Sequence, residues 1–200
     1  MRIKSICLVG VDGTGKSSMV EKLQEYYGKE RAVVQYMGSR LWETPIAKKY
    51  LDGGRKGGSP FNKLMGILSL LYEMNYRVNK HRREKRIVIF DRYVDEKVLS
   101  FKSKKGGLNH KLILVLYTIF FKVFFYRPKI TFYLTCPIEV SFQRKSDIVT
   151  DYEKQKLLRT KQILDNYYIN RSDVVTIDSY EQNQEEVFNT ILTELKKWGF

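Results

Sequence analysis

Residues 8–19 read LVGVDGTGKSSM, and this stretch decides how the rest of the chain is read. An apolar run stops at Gly10, two more glycines and a lone lysine follow, and a helical pattern begins at Ser17. Gly10, Val11, Asp12, Gly13, Thr14, Gly15, Lys16 and Ser17 fill the pattern G-x-x-x-x-G-K-[ST] at every position. Side chains are small where a polyphosphate must touch backbone. The N–H groups turn inward onto phosphate oxygens, aided by the positive end of the following helix. On this reading residues 10–18, Ser18 included, bind ATP. Lys16 reaches the β- and γ-phosphates and the Ser17 hydroxyl holds Mg²⁺.

Working outward, SICLVG (5–10) reads as a buried strand and SSMVEKLQEYYG (17–28) as a helix stopped by Gly28. AVVQYMG (32–38), RIVIFD (86–91), KITFYLT (129–135) and DVVTID (173–178) are further strand candidates. Helical spacing marks TPIAKKYL (44–51), a long stretch from Phe61 to Lys85, the segment opened by Pro137, residues 151–168, and Gln184 to Trp198. DGGRKGGSP (52–60) reads as a loop within one domain rather than a linker. Short apolar strands alternating with helices predict an α/β fold, a five-stranded parallel sheet with helices on both faces. Ligands of such sheets bind at the carboxyl ends of the strands. Three polar motifs fall there: residues 10–17, 91–93 and 144 onward.

The chain has 200 residues, which fits a single domain over 1–200, and a formal charge of +14. Such a charge attracts anions without choosing among nucleotides, nucleic acid and acidic lipid. Two cysteines, Cys7 and Cys136, make neither a disulfide framework nor a metal-ligand spacing, and point to a reduced, cytoplasmic compartment. Met1 to Ile6 already belongs to the first strand pattern, so no signal peptide is expected. Residues 112–126, LILVLYTIFFKVFFY, are too short for a comfortable membrane span and contain Lys122. They read as a deeply buried helix, with part of its surface available to a second subunit.

Asp91 ends the third strand, where a carboxylate can hold Mg²⁺ directly or through water, and Arg92 follows toward the anion-rich edge. GVDGTGKSS together with FDRY resembles the thymidylate kinase family of P-loop nucleoside monophosphate kinases. TPIAKKYL, DRYVD, RPKITFYLTCPIEVSFQR and DYEKQKLLRTKQILDNYY extend the resemblance along nearly the full length.

The resemblance implies a P-loop kinase fold and transfer of the γ-phosphoryl group of ATP to dTMP, a step of nucleotide biosynthesis. It places Asp12 at the sugar 3′-hydroxyl and the acceptor phosphate, and Arg92 on that phosphate, with Tyr93 completing the motif. It puts an arginine at the acceptor base, with Arg77 the candidate and Tyr72 or Tyr76 the stacking ring. Arg40 matches another phosphate-binding arginine. A lid near 144–152 must supply the catalytic cation, because positions 13 and 14 are Gly and Thr; Arg144 and Lys145 are available. A homodimer is implied by the same resemblance.

Three other readings remain open at this point, one of them a family member that binds nucleotides but has lost activity. A deoxynucleoside acceptor would need a carboxylate base near its hydroxyl, and only Asp12, Asp91 and Glu43 are candidates. A basic P-loop protein that binds nucleic acid fits the charge and the many tyrosines, but no single-strand-binding module accompanies them. No membrane partner is expected.

Overall fold

The computed structural model describes residues 4–38, 41–51, 60–81, 85–93, 99, 115, 119, 127–145 and 150–200. Its strands are β1 (Ser5–Val9), β2 (Ala32–Tyr36), β3 (Ile87–Asp91), β4 (Ile130–Thr135) and β5 (Val174–Asp178). Its helices are α1 (Lys16–Tyr27), α2 (Pro45–Leu51), α3 (Pro60–Asn79), α4 (Ile138–Arg144), α5 (Asp151–Tyr168) and α6 (Gln184–Lys197). The strands form one parallel sheet in the order β2-β3-β1-β4-β5. This is the α/β architecture that the alternation of strands and helices predicts.

The period of two along each strand divides the core into two layers. Ile6 and Leu8 of β1, Ile89 of β3 and Phe132 of β4 face α1 and α6, packing with Met19, Leu23, Val187 and Ile191. Cys7 and Val9, Val88 and Phe90, and Tyr133 face the other way, onto Met74 and Val78 of α3 and Leu164 and Tyr168 of α5. All five residues of β1 are buried, as a strand covered on both faces must be.

The helix ends follow local chemistry. Thr44 and Pro45 open α2, the Thr44 hydroxyl accepting from the Ala47 N–H at 3.2 Å. Thr150 with Glu153, and Asn183 with Glu186, form capping boxes at α5 and α6. The long helical pattern stops at Asn79, six residues before the expected Lys85. There the Asn79 amide donates back to the Asn75 carbonyl at 3.0 Å, and His81 is drawn inward to Gln35 of β2 at 3.1 Å.

The expected loop at 52–60 lies outside the described residues apart from Pro60, which begins α3. Of the apolar stretch 112–126, only Val115 and Ile119 are described. Both are helical, but their side chains are 53% and 55% exposed, against the deep burial expected. No helix among the described residues is long and apolar enough to cross a membrane.

Ile191 is fully buried between α6 and the sheet. We expect Ile191→Ala to lower unfolding free energy by about 2–5 kcal/mol in urea titrations. Leu158→Ala, at a side chain 41% exposed, should change it by less than about 0.5 kcal/mol.

Candidate functional site

Strand β1 lies between β3 and β4, so the sheet winds away from it in both directions and opens a crevice at its carboxyl end. The loop 10–15 fills that crevice. Gly10 has φ 147, and a β-carbon there would overlap the Leu134 carbonyl oxygen of β4. Gly13 has φ 89 and passes close to the Ser141 backbone of α4. Neither site admits a side chain without moving a neighbouring strand or helix. The Val11 carbonyl turns back inside the loop and accepts from the Thr14 hydroxyl at 2.9 Å and the Lys16 ammonium at 2.5 Å.

Asp12 is the electrostatic centre. Its carboxylate pairs with the Arg92 guanidinium on one side and, at 3.3 Å, with the Lys145 ammonium on the other. Burial opposes its ionisation, but the charges of Arg92, Lys16 and Lys145 outweigh burial and hold its pKa at about 2, below the ordinary 3.8. Three elements thus meet on one carboxylate: the loop after β1, the residue after β3 and the residue after α4.

Arg92 itself has φ 70, a left-handed conformation that costs a non-glycine residue of order 1–3 kcal/mol. Its N–H donates to the Leu8 carbonyl at 2.9 Å, its carbonyl accepts from the Cys7 thiol at 3.7 Å, and its guanidinium reaches Asp12. These contacts hold the strained turn that aims the guanidinium along the sheet edge.

Two cavities flank the loop. The first, of about 220 Å³, is lined by Asp12, Lys16, Ser17, Ser18, Tyr36, Asp91, Arg92 and Lys145, together with Gly13 and Gly15. Lysine and arginine outnumber carboxylates on this lining. The second, of about 500 Å³, shares Gly13, Gly15 and Ser18 and extends between Arg144 and the loop after β5, past Ser179, Gln182, Asn183 and Val187. Arg144 spans this side, donating to the Gly13 carbonyl at 3.4 Å and the Ser179 carbonyl at 3.2 Å. A nucleotide with its phosphates on the loop can extend its base into the second cavity, while the first receives a second ligand.

The first cavity gathers Asp12, Lys16, Ser17, Asp91 and Arg92 from the expected set. Four residues expected on the acceptor side, Arg77, Tyr93, Tyr72 and Tyr76, are placed elsewhere. Arg77 is 1% exposed and buried in an ion pair with Glu73 at 2.7 Å, its Nη1 and Nη2 donating to the carbonyls of Tyr36, Gly38 and Leu41. Tyr93 is 5% exposed, its ring packed edge-on against Phe90 in the core. Tyr72 lies on α3 half exposed, and neither it nor Tyr76 is among the described residues of either cavity. Arg40 and lid residues 146–149 lie outside the described residues.

Sequence reasoning missed Tyr36 and the loop 179–184 as cavity walls. The signal for both was present: each directly follows or ends a strand at the same sheet edge as residues 10–17. Ser17 in the first turn of α1 and Asp91 at the end of β3 offer hard oxygen ligands on one cavity, the donor type suited to Mg²⁺.

A family model described as thymidylate kinase matches residues 8–191. Among solved structures, a thymidylate kinase from Candida albicans is similar at a TM-score of 0.69 and 16% identity, over 98% of this chain and 92% of that one. A deoxyadenosine kinase from M. mycoides, solved with the products dCMP and a flexible dCDP, is similar at a TM-score of 0.60 and 17% identity, over 96% and 98%. The same enzyme with bound dATP gives 0.62 and 16%, over 96% and 99%. At these identities the likeness is one of fold.

Because the Asp12 pKa is depressed, its pairing stabilises the fold above the unfolded value of 3.8, and this contribution is lost as pH falls toward about 2. The stability difference between wild type and Asp12→Asn should therefore be constant above about pH 5 and shrink progressively as pH falls from there through about 2 in urea titrations. At position 92, glycine relieves the strained φ and alanine does not. Arg92→Gly should be more stable than Arg92→Ala by about 0.5–1 kcal/mol, read from paired thermal melts.

Proposed function

The chain belongs to the thymidylate kinase family, and on that footing we propose that it transfers the γ-phosphoryl group of ATP to dTMP, giving dTDP and ADP. An oxygen of the acceptor phosphate attacks the γ-phosphorus and forms the new P–O bond. The bond from the γ-phosphorus to the β–γ bridging oxygen breaks, and ADP leaves with its electron pair. The acceptor oxygen is already anionic at neutral pH, so no strong base is needed. What this chemistry needs is alignment and neutralisation of converging negative charge.

The observation that carries this reading is the cation set on the first cavity, Lys16, Arg92 and Lys145 around Asp12. Lys16 would hold the donor phosphates, Arg92 the acceptor phosphate, and Lys145 the space between. Arg144, already bridging Gly13 and Ser179 across the donor-side cavity, would lie over the bound ATP. Ser17 and Asp91 would hold Mg²⁺, which supplies charge neutralisation on the phosphates when bound.

A deoxynucleoside acceptor fits less well. Its hydroxyl proton needs a base, and Asp12, with a pKa near 2 and two cationic partners, is a poor one. Glu43 is similarly held, by Lys80 at 2.6 Å and Gln35 at 2.9 Å, and its pKa is also lowered against the opposing effect of burial.

The test is an ADP-release screen with ATP against dTMP, dUMP, other nucleoside monophosphates and free nucleosides. We expect dTMP to be the preferred acceptor and free nucleosides to be inert. Lys16→Ala should lose at least about a hundredfold in kcat/KM with its circular dichroism spectrum intact. Turnover of a free nucleoside ahead of every monophosphate would overturn the reading.

A further inference from the structure

The chain leaves β2 at Tyr36 and enters α2 at Pro45, and none of the described residues between 37 and 43 is helix or strand. Main-chain groups in such a passage need partners from elsewhere. Five of them find partners on one buried ion pair. Arg77 donates through Nη1 to the Tyr36 and Gly38 carbonyls at 3.2 and 2.8 Å, and through Nη2 to the Leu41 carbonyl. Its Nε donates to Glu73 at 2.7 Å. The Glu73 carboxylate, fully buried, accepts from the Glu43 and Thr44 N–H groups at 2.7 and 2.8 Å. The Trp42 ring lies over the guanidinium, 5.4 Å from centroid to carbon.

A buried ion pair is an inefficient way to stabilise a core, because desolvation offsets much of its attraction. An apolar pair of similar volume would fill the space. It could not orient three carbonyls and two N–H groups. The planar fork of arginine does this where the single ammonium of lysine cannot. The pair therefore acts as a template for the described residues between β2 and α2, 37–38 and 41–44.

The template converges on Tyr36. Its carbonyl is held by Arg77, while the next N–H, that of Met37, donates to the Asp91 carbonyl at 2.9 Å. Its phenol folds over Gly38, where a β-carbon would overlap the ring. So held, Tyr36 lines the same cavity as Arg92 and Lys145. No described residue of 36–44 lines the cavity between Arg144 and Asn183.

We propose that Glu73 and Arg77 are positioning residues for the acceptor: by holding residues 36–38 and 41–44 they set the wall formed by Tyr36, and they leave the donor side alone. The proposal rests on the kinase reading above.

Arg77→Lys and Glu73→Gln test it, assayed well below their melting temperatures. The KM for dTMP should rise at least about tenfold, with kcat within about threefold of wild type and the KM for ATP unchanged. Hydrogen exchange at the Glu43 and Thr44 amides should accelerate in both variants. If the wild type prefers another nucleoside monophosphate, the same comparison is made with that one. A lowered melting temperature with acceptor KM unmoved would reduce the pair to a stabilising contact and overturn the proposal. Unchanged exchange at Glu43 and Thr44 would overturn it as well. A wild type that phosphorylates no monophosphate would sink the kinase reading and this inference together, whereas an active wild type with an unmoved KM pattern sinks the inference alone.

Discussion

The place of β1 at the centre of the sheet constrains everything else. Its neighbours on the two sides, β3 and β4, lead to opposite halves of the molecule, so the loop that leaves it has a strand end on either hand. That loop is pressed against the Leu134 carbonyl at Gly10 and against Ser141 at Gly13. A backbone held this closely has little freedom left, and its N–H groups acquire fixed directions. The apolar layers make this possible. Ile6 and Leu8 are locked on one face and Cys7 and Val9 on the other, so the strand cannot slip without exchanging its faces.

Charge is then distributed around the fixed loop by elements remote in sequence. Asp12 draws in Arg92 from the end of β3 and Lys145 from the end of α4. The left-handed turn at Arg92 shows that the sheet edge carries local strain in order to present this guanidinium. Local strain of this kind persists only where the surroundings over-determine it, here through Leu8, Cys7 and Asp12.

Much of this is legible in the sequence, for definable reasons. The five strands are short apolar runs bounded by turn residues, and α1 and α6 show clear helical spacing, so local pattern alone locates them. The loop 10–15 is legible because Gly10 and Gly13 sit where backbone crowds backbone. Arg77 was not. Periodicity places it on α3 but cannot say that Glu73, one turn earlier, and the carbonyls of another segment will surround it. Tyr93 reads as part of a polar motif, yet the strained turn at Arg92 sends its ring back into the core against Phe90. Just past the end of α3, His81 meets Gln35, a tertiary contact with no local signature. The cavity wall at 179–184 carries no local signal of its own, because its meaning comes from which strand end it shares with the loop after β1.

The internal pairing of Asp12 also bears on ligand discovery. An anion entering this cleft does not gain two salt bridges outright; it exchanges places with a carboxylate that Arg92 and Lys145 already hold. Its net reward is a difference between similar attractions, so small acidic fragments would score weakly in a screen despite the basic lining. Selective inhibitors would draw more of their affinity from shape and from stacking on the Tyr36 ring than from added negative charge.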